Sequence, residues 1–231
     1  MAVTIAIDAG TTGVRALAVD AAGRPAGWSY RELPQHFPRP GWVEHDPDDI
    51  WDAVETTLGE LRATLDEPVA AIGITNQRET VVAWDRRTGE PFHNAIVWQD
   101  RRTAARCRRV EDDGHLPLVR EATGLVLDPY FSATKMAWLL SEGDVPAGPR
   151  LALGTVDSWI LWKLTAGDAF ATDPSNASRT LLYDIRHGAW STELCDLFGV
   201  PVAALPEVRR TSGRFGTTHD GIPVSGVAGD Q

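Results

Sequence analysis

Residues 3–12 read VTIAIDAGTT, an apolar run of strand length that leads into Asp8 and a glycine turn. Residues 222–231, IPVSGVAGDQ, repeat this design with an apolar strand that ends in a glycine and Asp230. An aspartate at the carboxyl end of a buried strand, beside a glycine that lets a ligand approach the backbone, is well placed to act as a general base. If folding brings the two strand ends together, two carboxylates face one pocket.

The bulk composition is that of a globular protein. The chain has 231 residues, 43% hydrophobic and 23% charged, which is enough for a substantial core in one large domain or two small ones. The formal net charge of -10 argues against a nucleic-acid backbone or an anionic membrane as a partner.

Cysteine usage and the N-terminus predict a cytoplasmic protein. Cys107 and Cys195 lie far apart without metal-type spacing, which favours two free thiols in a reducing compartment. The first residues lack the basic region of a signal peptide, and no apolar run approaches the roughly 20 residues that span a bilayer. We therefore expect a soluble chain in the cytoplasm.

The first third of the chain predicts a mixed sheet. Three closely spaced apolar runs are typical of an antiparallel meander: residues 3–8, 14–20 and 26–33. Asp46 followed by Pro47 is a helix-start signal, and apolar residues at helical spacing continue to about residue 65. Residues 69–75 return as a buried strand. This order predicts an α/β fold in which a mixed sheet has helices on both faces.

The rest of the chain is predicted to be more helical. Helices are expected over residues 100–110, 132–140, 155–164 and 191–198, with a helical turn over residues 201–205. Short strands are expected over residues 81–84 and 180–184, and a polar connector over residues 207–215. Ser132 and Ser191 are predicted at or near the caps of their helices.

The turn after the first strand is a candidate phosphate site. A glycine turn exposes backbone N–H groups that can cradle a phosphate, and the hydroxyls of Thr11 and Thr12 add donors. Asp8 can hold Mg²⁺ directly or through water, and Arg15 on the next strand lies within reach of the same phosphate. A plain hairpin is the alternative. The sequence contains no GxxxxGK[ST] string, which excludes the P-loop class of nucleotide site.

The string NQRET, residues 76–80, contains more polar residues than a tight turn between two apolar strands needs. Arg78 provides fixed donors and Glu79 provides an acceptor, a combination that suits the recognition of hydroxyl groups. A surface loop with a local ion pair is the alternative that the composition leaves open.

Two aromatic residues are candidates for the wall of a binding site. Trp98, in the string WQDRRT, can pack against the carbon side of a polyol or sugar. Tyr130 stands just before a predicted helix, from where its hydroxyl can point into a cleft. The alternatives are a core tryptophan, since the chain has nine, and an aromatic loop anchor.

The chain resembles the FGGY carbohydrate kinases in strings that include AIDAGTTGVRA, FPRPGWVEHDPDDIW, GITNQRET, AIVWQDRRT, TDPSNASRTLLYDI and GIPVSGVAGDQ. Within this family, the resemblance is strongest to the kinases that phosphorylate glycerol, and NQRET and WQDRRT are the specific strings. The likeness extends over essentially the whole chain, but it covers only the first of the two lobes of the family.

The resemblance implies a fold, a reaction and a set of residues. The implied fold is a ribonuclease-H-like lobe of the actin type, and the implied reaction transfers phosphate from ATP, with Mg²⁺, to glycerol in a cleft between two lobes. The residues implied to bind glycerol are Arg78, Glu79, Trp98, Tyr130, Asp230 and Gln231, with Asp230 as the general base. The residues implied to face the nucleotide are Gly10, Thr11, Thr12 and Arg15, with Asp8 associated with magnesium.

The sequence departs from this family pattern in two ways. Gly13 and Val14 stand where kinases of the subgroup usually carry serines. We expect Val14 to be buried, whereas Gly13 removes a hydroxyl from the phosphate loop. We also expect residues 1–231 to form the substrate-binding domain with the C-terminal nucleotide-binding lobe absent, so that the chain by itself is a poor catalyst. Its exposed cleft face is a candidate homodimer contact.

Two other functions stay open from the sequence. The acceptor can be another polyol or a ketose within the same family. Alternatively, the chain is a non-catalytic module that binds a polyol or a partner protein through the surface on which a second lobe would dock.

Overall fold

The computed structural model describes residues 2–231. These residues form fourteen strands: β1 (Val3–Ala9), β2 (Gly13–Val19), β3 (Pro25–Glu32), β4 (Glu44–His45), β5 (Val69–Asn76), β6 (Val81–Asp85), β7 (Ala95–Ile96), β8 (Leu151–Thr155), β9 (Ala171–Thr172), β10 (Tyr183–Asp184), β11 (Ala189–Trp190), β12 (Glu207–Val208), β13 (Ser212–Thr217) and β14 (Pro223–Gly229). They also form seven α-helices: α1 (Pro47–Ala63), α2 (Ala104–Asp112), α3 (Leu116–Thr123), α4 (Ser132–Ser141), α5 (Val156–Leu164), α6 (Pro174–Ala177) and α7 (Thr192–Phe198). No helix in this part of the chain is long and apolar enough to cross a membrane.

Six of the strands form a mixed sheet in the order β13–β14–β5–β1–β2–β3. The strands β1, β2 and β3 form the predicted antiparallel meander. The strand β5 pairs in parallel with β1 on one side and with β14 on the other, and β13 closes that edge in antiparallel pairing. The carboxyl ends of β1, β5 and β14 therefore lie at the same edge of the sheet.

One face of the mixed sheet is buried against two helices. The register pairs Ile7 with Ala16 on β2 and with Ile74 on β5, so alternate residues of neighbouring strands share this face. These residues belong to one hydrophobic cluster with Val54 of α1 and Trp159 of α5. The helices α1 and α5 thus cover the same face of the sheet.

The predicted α/β fold, a mixed sheet with helices, is confirmed, and α1 and α5 lie on one face of that sheet. The face opposite α1 and α5 carries Ala6, Leu17 and Gly73, which are partly exposed. Helices lie on both faces of the second sheet instead, an antiparallel sheet in the order β4–β7–β6–β8. Its strands β6 and β8 are buried at every position, because one face packs in the cluster with α5 and the other packs in a second cluster with α4 and α7.

Several predicted elements are confirmed. The carboxylate of Asp46 accepts a hydrogen bond from the backbone N–H of Asp48 at 2.9 Å, and Pro47 is the first residue of α1. The helix α5 is buried at every position except Lys163, as expected of a core helix. The hydroxyl of Ser191 caps α7.

The start of the helix α2 differs from the prediction, and the difference has a local cause. The helix α2 begins only at Ala104, because the Asp100 carboxylate accepts hydrogen bonds from the backbone N–H groups of Val43 and Arg102 and holds the preceding residues in a turn. Ser132 lies next to the cap residue Phe131, as predicted, and its hydroxyl donates to the backbone carbonyl of Glu79.

Some elements carry too weak a pattern to be recognised. The predicted connector contains β12 and β13, and β13 is an exposed edge strand with little apolar alternation. The strand predicted over residues 180–184 is reduced to β10 (Tyr183–Asp184). The helix α3 and the strand β8 were not predicted.

Arg102 holds the second cluster to the second sheet. Its guanidinium donates to the carboxylates of Asp100 at 2.8 Å and Glu44 at 2.7 Å, and all three side chains are buried. The guanidinium carbon also lies 3.8 Å from the ring centroid of Trp42 and 4.6 Å from that of Trp138. One cation thereby connects β4, the turn before α2, and α4.

Replacing Arg102 should destabilise the fold strongly. Arg102→Met leaves two buried carboxylates without their cation, and breaking a buried pair in this way costs about 3–5 kcal/mol. The matched control is Arg150→Ala, which removes an ion pair to Asp85 from an arginine whose side chain is 58% exposed. The control should cost less than about 1 kcal/mol. Urea denaturation measures both values, and equal losses in the two variants would contradict the account.

Candidate active site

The edge of the mixed sheet where β1, β5 and β14 end brings the two predicted carboxylates together. The strand β1 pairs Asp8 with Thr75, and β14 pairs Gly229 with Asn76 at the end of β5. The backbone N–H of Asp230 then donates to the carbonyl of Asn76 at 3.1 Å. Burial is the main cause that raises the pKa of Asp8, and the Asp230 carboxylate adds to this shift.

A small cavity of about 80 Å³ lies at this edge of the sheet. The residues that line it are Thr11, Gln77, Arg78, Glu79, Trp98, Tyr130, Asp230 and Gln231. All six residues predicted to bind substrate are among them. Sites for drug-sized ligands measure roughly 300–1,000 Å³, so this cavity suits a molecule of only a few heavy atoms.

Arg78 and Asp230 face each other across a gap in the cavity. The Arg78 Nε atom lies 3.8 Å from Asp230 Oδ1, which is too far for a hydrogen bond. This Nε atom is buried and has no hydrogen-bond partner, whereas the Nη2 atom donates to Gln231 Oε1 at 3.4 Å. A ligand hydroxyl between the two side chains would accept from Arg78 and donate to Asp230.

Gly229 gives Arg78 its place in the cavity wall. A Cβ atom on residue 229 would approach the Arg78 Cγ atom to 2.6 Å, closer than real Cβ contacts allow. The arginine chain therefore lies directly across the glycine. Only a residue without a side chain lets Arg78 reach Asp230 from this direction.

Glu79 adopts a strained backbone conformation. Its φ angle is +63°, in the left-handed region that costs a residue other than glycine about 1–3 kcal/mol. Tertiary contacts hold it there, because Ser132 donates to its carbonyl at 3.0 Å and Arg179 Nε donates to its Oε1 atom at 2.7 Å. The side chain is buried, which raises the pKa of Glu79 against the opposing effect of Arg179. The second carboxylate oxygen is left for another donor.

Arg179 and Lys135 support the site, and neither was predicted. Arg179 lies 5.6 Å from the ring centroid of Tyr130 and 4.8 Å from that of Phe131 in addition to pairing with Glu79. The fully buried Lys135 donates to the carbonyl of Tyr130 at 2.6 Å and to that of Phe131 at 3.1 Å. The first turn of α4 thus fixes both Tyr130 and Glu79. The only signal in the sequence is the rarity of lysine.

The aromatic wall of the cavity is tied to the turn after β1. The indole Nε1 of Trp98 donates to the hydroxyl of Thr11 at 2.9 Å, and the Trp98 ring meets that of Tyr130 edge-on at 5.5 Å. Thr11 was predicted to face the nucleotide phosphates, and the structure places it in the lining of the cavity. It therefore stands where the small ligand site and the candidate phosphate loop meet.

The other residues of the candidate phosphate loop lie around the same turn. The backbone N–H of Gly10 donates to the carbonyl of Gly13 at 3.0 Å. Thr12 and Arg15 are exposed, and Arg15 is paired with Asp8 across the strands. Burial raises the pKa of the Asp8 carboxyl, and the Arg15 guanidinium opposes this shift.

The crowded surroundings of Gly13 explain why this loop carries a glycine where related kinases usually carry a serine. A Cβ atom on residue 13 would overlap the hydroxyl of Tyr30, which donates to the carbonyl of Thr12 at 3.3 Å. Tyr30 therefore occupies the space that a serine side chain would take. Val14 is fully buried, as expected.

In the described part of the chain, Asp8 is not part of a cluster of side chains that could bind a metal ion by themselves. Within residues 2–231, no group of three or more His, Cys, Asp or Glu side chains could hold a metal ion. Mg²⁺ typically keeps several waters and binds one or two carboxylates together with substrate phosphates. A single half-buried carboxylate beside a phosphate loop fits that donor set, whereas it does not fit a metal held by protein alone.

Gln77 connects the cavity directly to the loop after β1 and also contacts a buried histidine. Its Nε2 atom lies 3.2 Å from the carbonyl of Gly10 and 3.3 Å from His45 Nδ1, while Thr80 donates to its Oε1 atom. Burial lowers the pKa of His45 to about 4, so the imidazole is neutral at pH 7 and can accept from Gln77. Sequence reasoning did not identify either residue as part of the site.

The fold and the position of the cavity define the class of protein. The strand order and the matching solved structures show a lobe of the actin-like ATPase fold of sugar kinases. The model of the FGGY family of carbohydrate kinases, N-terminal domain, matches residues 3–231, and the chain belongs to this family.

Two curated relatives of the chain are both glycerol kinases. A glycerol kinase of Methylobacterium nodulans is 54% identical over 243 residues, covering 98% of this chain and 48% of that protein. A glycerol kinase of Alkalilimnicola ehrlichii is 50% identical over 245 residues, covering 100% of this chain and 49% of that protein. The chain therefore spans about half the length of the curated relatives that it matches.

Solved structures agree with the sequence comparison. The crystal structure of Plasmodium falciparum glycerol kinase with ADP is similar with a TM-score of 0.94 at 32% identity, covering 100% of this chain and 49% of that one. A xylulose kinase from Brucella ovis is similar with a TM-score of 0.89 at 28% identity, covering 99% of this chain and 48% of that one.

Lys135 makes the stability of the protein depend on pH. Burial lowers the pKa of Lys135 to about 7, whereas the pKa of a lysine in an unfolded chain is about 10.4. Between these two values the unfolded chain binds more protons, so stability rises with pH by as much as about 1.4 kcal/mol per pH unit. Lys135→Met should lose this slope, as measured by urea denaturation at several pH values from 7 to about 10.

The matched control for this prediction is the other lysine of the chain. Lys163 is partly exposed beside Asp48. Lys163→Met should keep the wild-type pH dependence. If the free energy of unfolding changes with pH in the same way for wild type and Lys135→Met, Lys135 has the same pKa in the folded and unfolded chain. That result would contradict the prediction.

Proposed function

We propose that this chain is the substrate-binding half of an ATP-dependent glycerol kinase. The observation that carries the proposal is the convergence of Arg78, Glu79 and Asp230 on one cavity sized for a few heavy atoms. Membership of a carbohydrate kinase family and the names of the relatives support the choice of reaction.

Glycerol matches the polar groups of the cavity. Its hydroxyls can accept from Arg78 Nε, donate to the free oxygen of Glu79 and bridge to Asp230. The apolar face of its carbon chain can pack on Trp98, which stands beside Tyr130. Gln231, which accepts from Arg78 at 3.4 Å, would add a further polar contact.

Asp230 is placed to act as the general base. A primary hydroxyl is a poor nucleophile, and phosphoryl transfer depends mainly on positioning and on neutralising charge. Asp230 would accept the proton of the hydroxyl as its oxygen attacks the γ-phosphorus of ATP in line. The Arg78 Nε atom lies 3.8 Å from Asp230 Oδ1, so a guanidinium stands beside this carboxylate where charge develops during the transfer.

The turn after β1 would face the phosphates of ATP. Backbone N–H groups around Gly10 and the hydroxyls of Thr11 and Thr12 can donate to phosphate oxygens, and Arg15 adds a cation. Asp8 would hold Mg²⁺, which neutralises charge on the transferring phosphoryl group when it is bound. The bond from Trp98 to Thr11 links this loop to the glycerol wall.

The second half of the kinase would supply the adenosine-binding lobe. The relatives are about twice as long as this chain, which supports the division into two lobes. The exposed cleft face would then be covered by the second lobe or, in the chain alone, by a second copy of the chain. A cytoplasmic location fits this function, and both cysteines are buried free thiols.

Two other functions have specific support. Similarity to a xylulose kinase at 28% identity favours, as a second candidate, another acceptor such as a ketose. The same polar cavity also supports a non-catalytic module that binds a polyol or a partner protein.

Calorimetry of the chain with glycerol and with MgATP separately tests the proposal. We expect residues 1–231 on their own to bind glycerol weakly but measurably and to turn over ATP poorly, because a second lobe would be needed to close the cleft against water. Glu79→Ala should weaken glycerol binding by about tenfold or more, since it removes a charged acceptor. The control Glu121→Ala alters an exposed pair with Arg186 and should bind normally.

Two results would count against the proposal. A clear preference for a pentulose over glycerol would assign a different acceptor. Rapid formation of glycerol 3-phosphate by the chain alone would show that the second lobe is not needed for positioning.

A single methyl group in the cavity wall gives an independent test. Gly229→Ala should push Arg78 away from Asp230 and weaken glycerol binding by about tenfold, because a hydrogen bond to a charged group is lost. The control is Gly226→Ala on the same strand, where a Cβ atom has its nearest neighbour at 3.6 Å. Normal affinity in Gly229→Ala would mean that Arg78 does not contact the ligand.

A further inference from the structure

Asp173 is a buried carboxylate that lies outside the cavity and has no part in the chemistry described above. It is fully buried at the start of α6. Its partners are neutral groups: the backbone N–H groups of Ser175 and Asn176, their side chains, and the hydroxyl of Thr211. A buried carboxylate with this many donors holds each of them in a fixed orientation.

The first route from Asp173 to the site passes through Ser175. The hydroxyl of Ser175 donates to the Asp173 carboxylate at 2.8 and 2.9 Å. Because its proton is committed there, its oxygen is free to accept, and the backbone N–H of Gly229 donates to it at 2.8 Å. Gly229 immediately precedes Asp230 and carries the contact with Arg78.

The second route passes through Asn176. The Nδ2 atom of Asn176 lies 3.0 Å from the Asp173 carboxylate and 3.2 Å from Asn76 Oδ1, and Asn76 Nδ2 donates back to Asn176 Oδ1 at 3.0 Å. This reciprocal amide pair fixes the end of β5. The backbone carbonyl of Asn76 in turn accepts from the N–H of Asp230 at 3.1 Å.

We infer that Asp173 is the positioning residue for Asp230, acting through Ser175 on Gly229 and through Asn176 on Asn76. The catalytic role of Asp230 in this inference rests on the proposed function. The hydrogen bonds that locate the end of β14 are independent of that proposal. Both backbone N–H groups that locate the end of β14, those of Gly229 and Asp230, are bonded to groups that Asp173 orients. Asp173 touches neither glycerol nor the reacting atoms.

The orienting role follows from the direction of the hydrogen bonds. Asn or Ala at residue 173 would no longer hold the Ser175 hydroxyl with a charged acceptor, so its oxygen could move away from the Gly229 N–H and weaken that hydrogen bond. The Asn176 amide would lose the partner that fixes which way it faces. The end of β14 would then keep its strand pairing upstream while its last residues loosen.

Amide hydrogen exchange measured by NMR on the full chain tests this inference directly. Ser175→Ala should speed exchange at Gly229 by about tenfold, the effect of losing one hydrogen bond of ordinary strength, and Asp173→Asn should speed exchange at both Gly229 and Asp230. Ser175→Thr keeps the hydroxyl and should restore protection. Thr211→Ala also removes a bond to Asp173 but lies on neither route, so it should leave exchange at these two residues unchanged.

The glycerol affinity of the same variants separates positioning from general stability. Ser175→Ala should weaken glycerol binding, whereas Thr211→Ala should bind normally even where urea denaturation shows the two variants to be equally destabilised. Unchanged exchange at Gly229 in Ser175→Ala would overturn the inference, as would an equal effect of Thr211→Ala. Faster exchange without any change in glycerol binding would support the positioning role and count against the proposed role of Asp230.

Discussion

The parallel pairing of β1, β5 and β14 is the constraint on which the site depends. Parallel neighbours end at the same edge, so Asp8, Asn76 and Asp230 meet there although they are distant in the sequence. The buried face of this sheet sets the register, because a shift by one residue would turn Ile7 outward and Asp8 into the core. The hydrophobic core and the polar site are therefore two consequences of one alternating pattern.

Around this edge, the protein holds its binding groups by contacts from outside the cavity. The strained backbone of Glu79 persists because α4 and Arg179 hold it from two sides. Asp173 plays the corresponding part for the end of β14, and Gln77 joins the cavity to the candidate phosphate loop. Such supports let a cavity of about 80 Å³ present several charged groups without collapsing onto them.

Much of the fold was predictable because its signals are local. The cap at Asp46, the alternation in β1 and the turn residues after it are read within a few positions. The predictions failed where the signal depends on neighbours in space. The strand β13 has almost no apolar alternation because half of its residues are exposed. The distribution of helices between the two sheets depends on which strands are buried on both faces.

The sequence by itself determined which chemical groups are present: an aspartate at the end of each of two apolar strands, an arginine next to a glutamate, and a tryptophan and a tyrosine in two separate polar strings. Only the tertiary structure decided that these groups share one cavity and which residues hold them there. The pairs Glu79–Arg179 and Asn76–Asn176 each join residues 100 positions apart. A hydrogen bond over such a separation leaves no local pattern in the sequence, because its geometry exists only once the sheets and helices have packed.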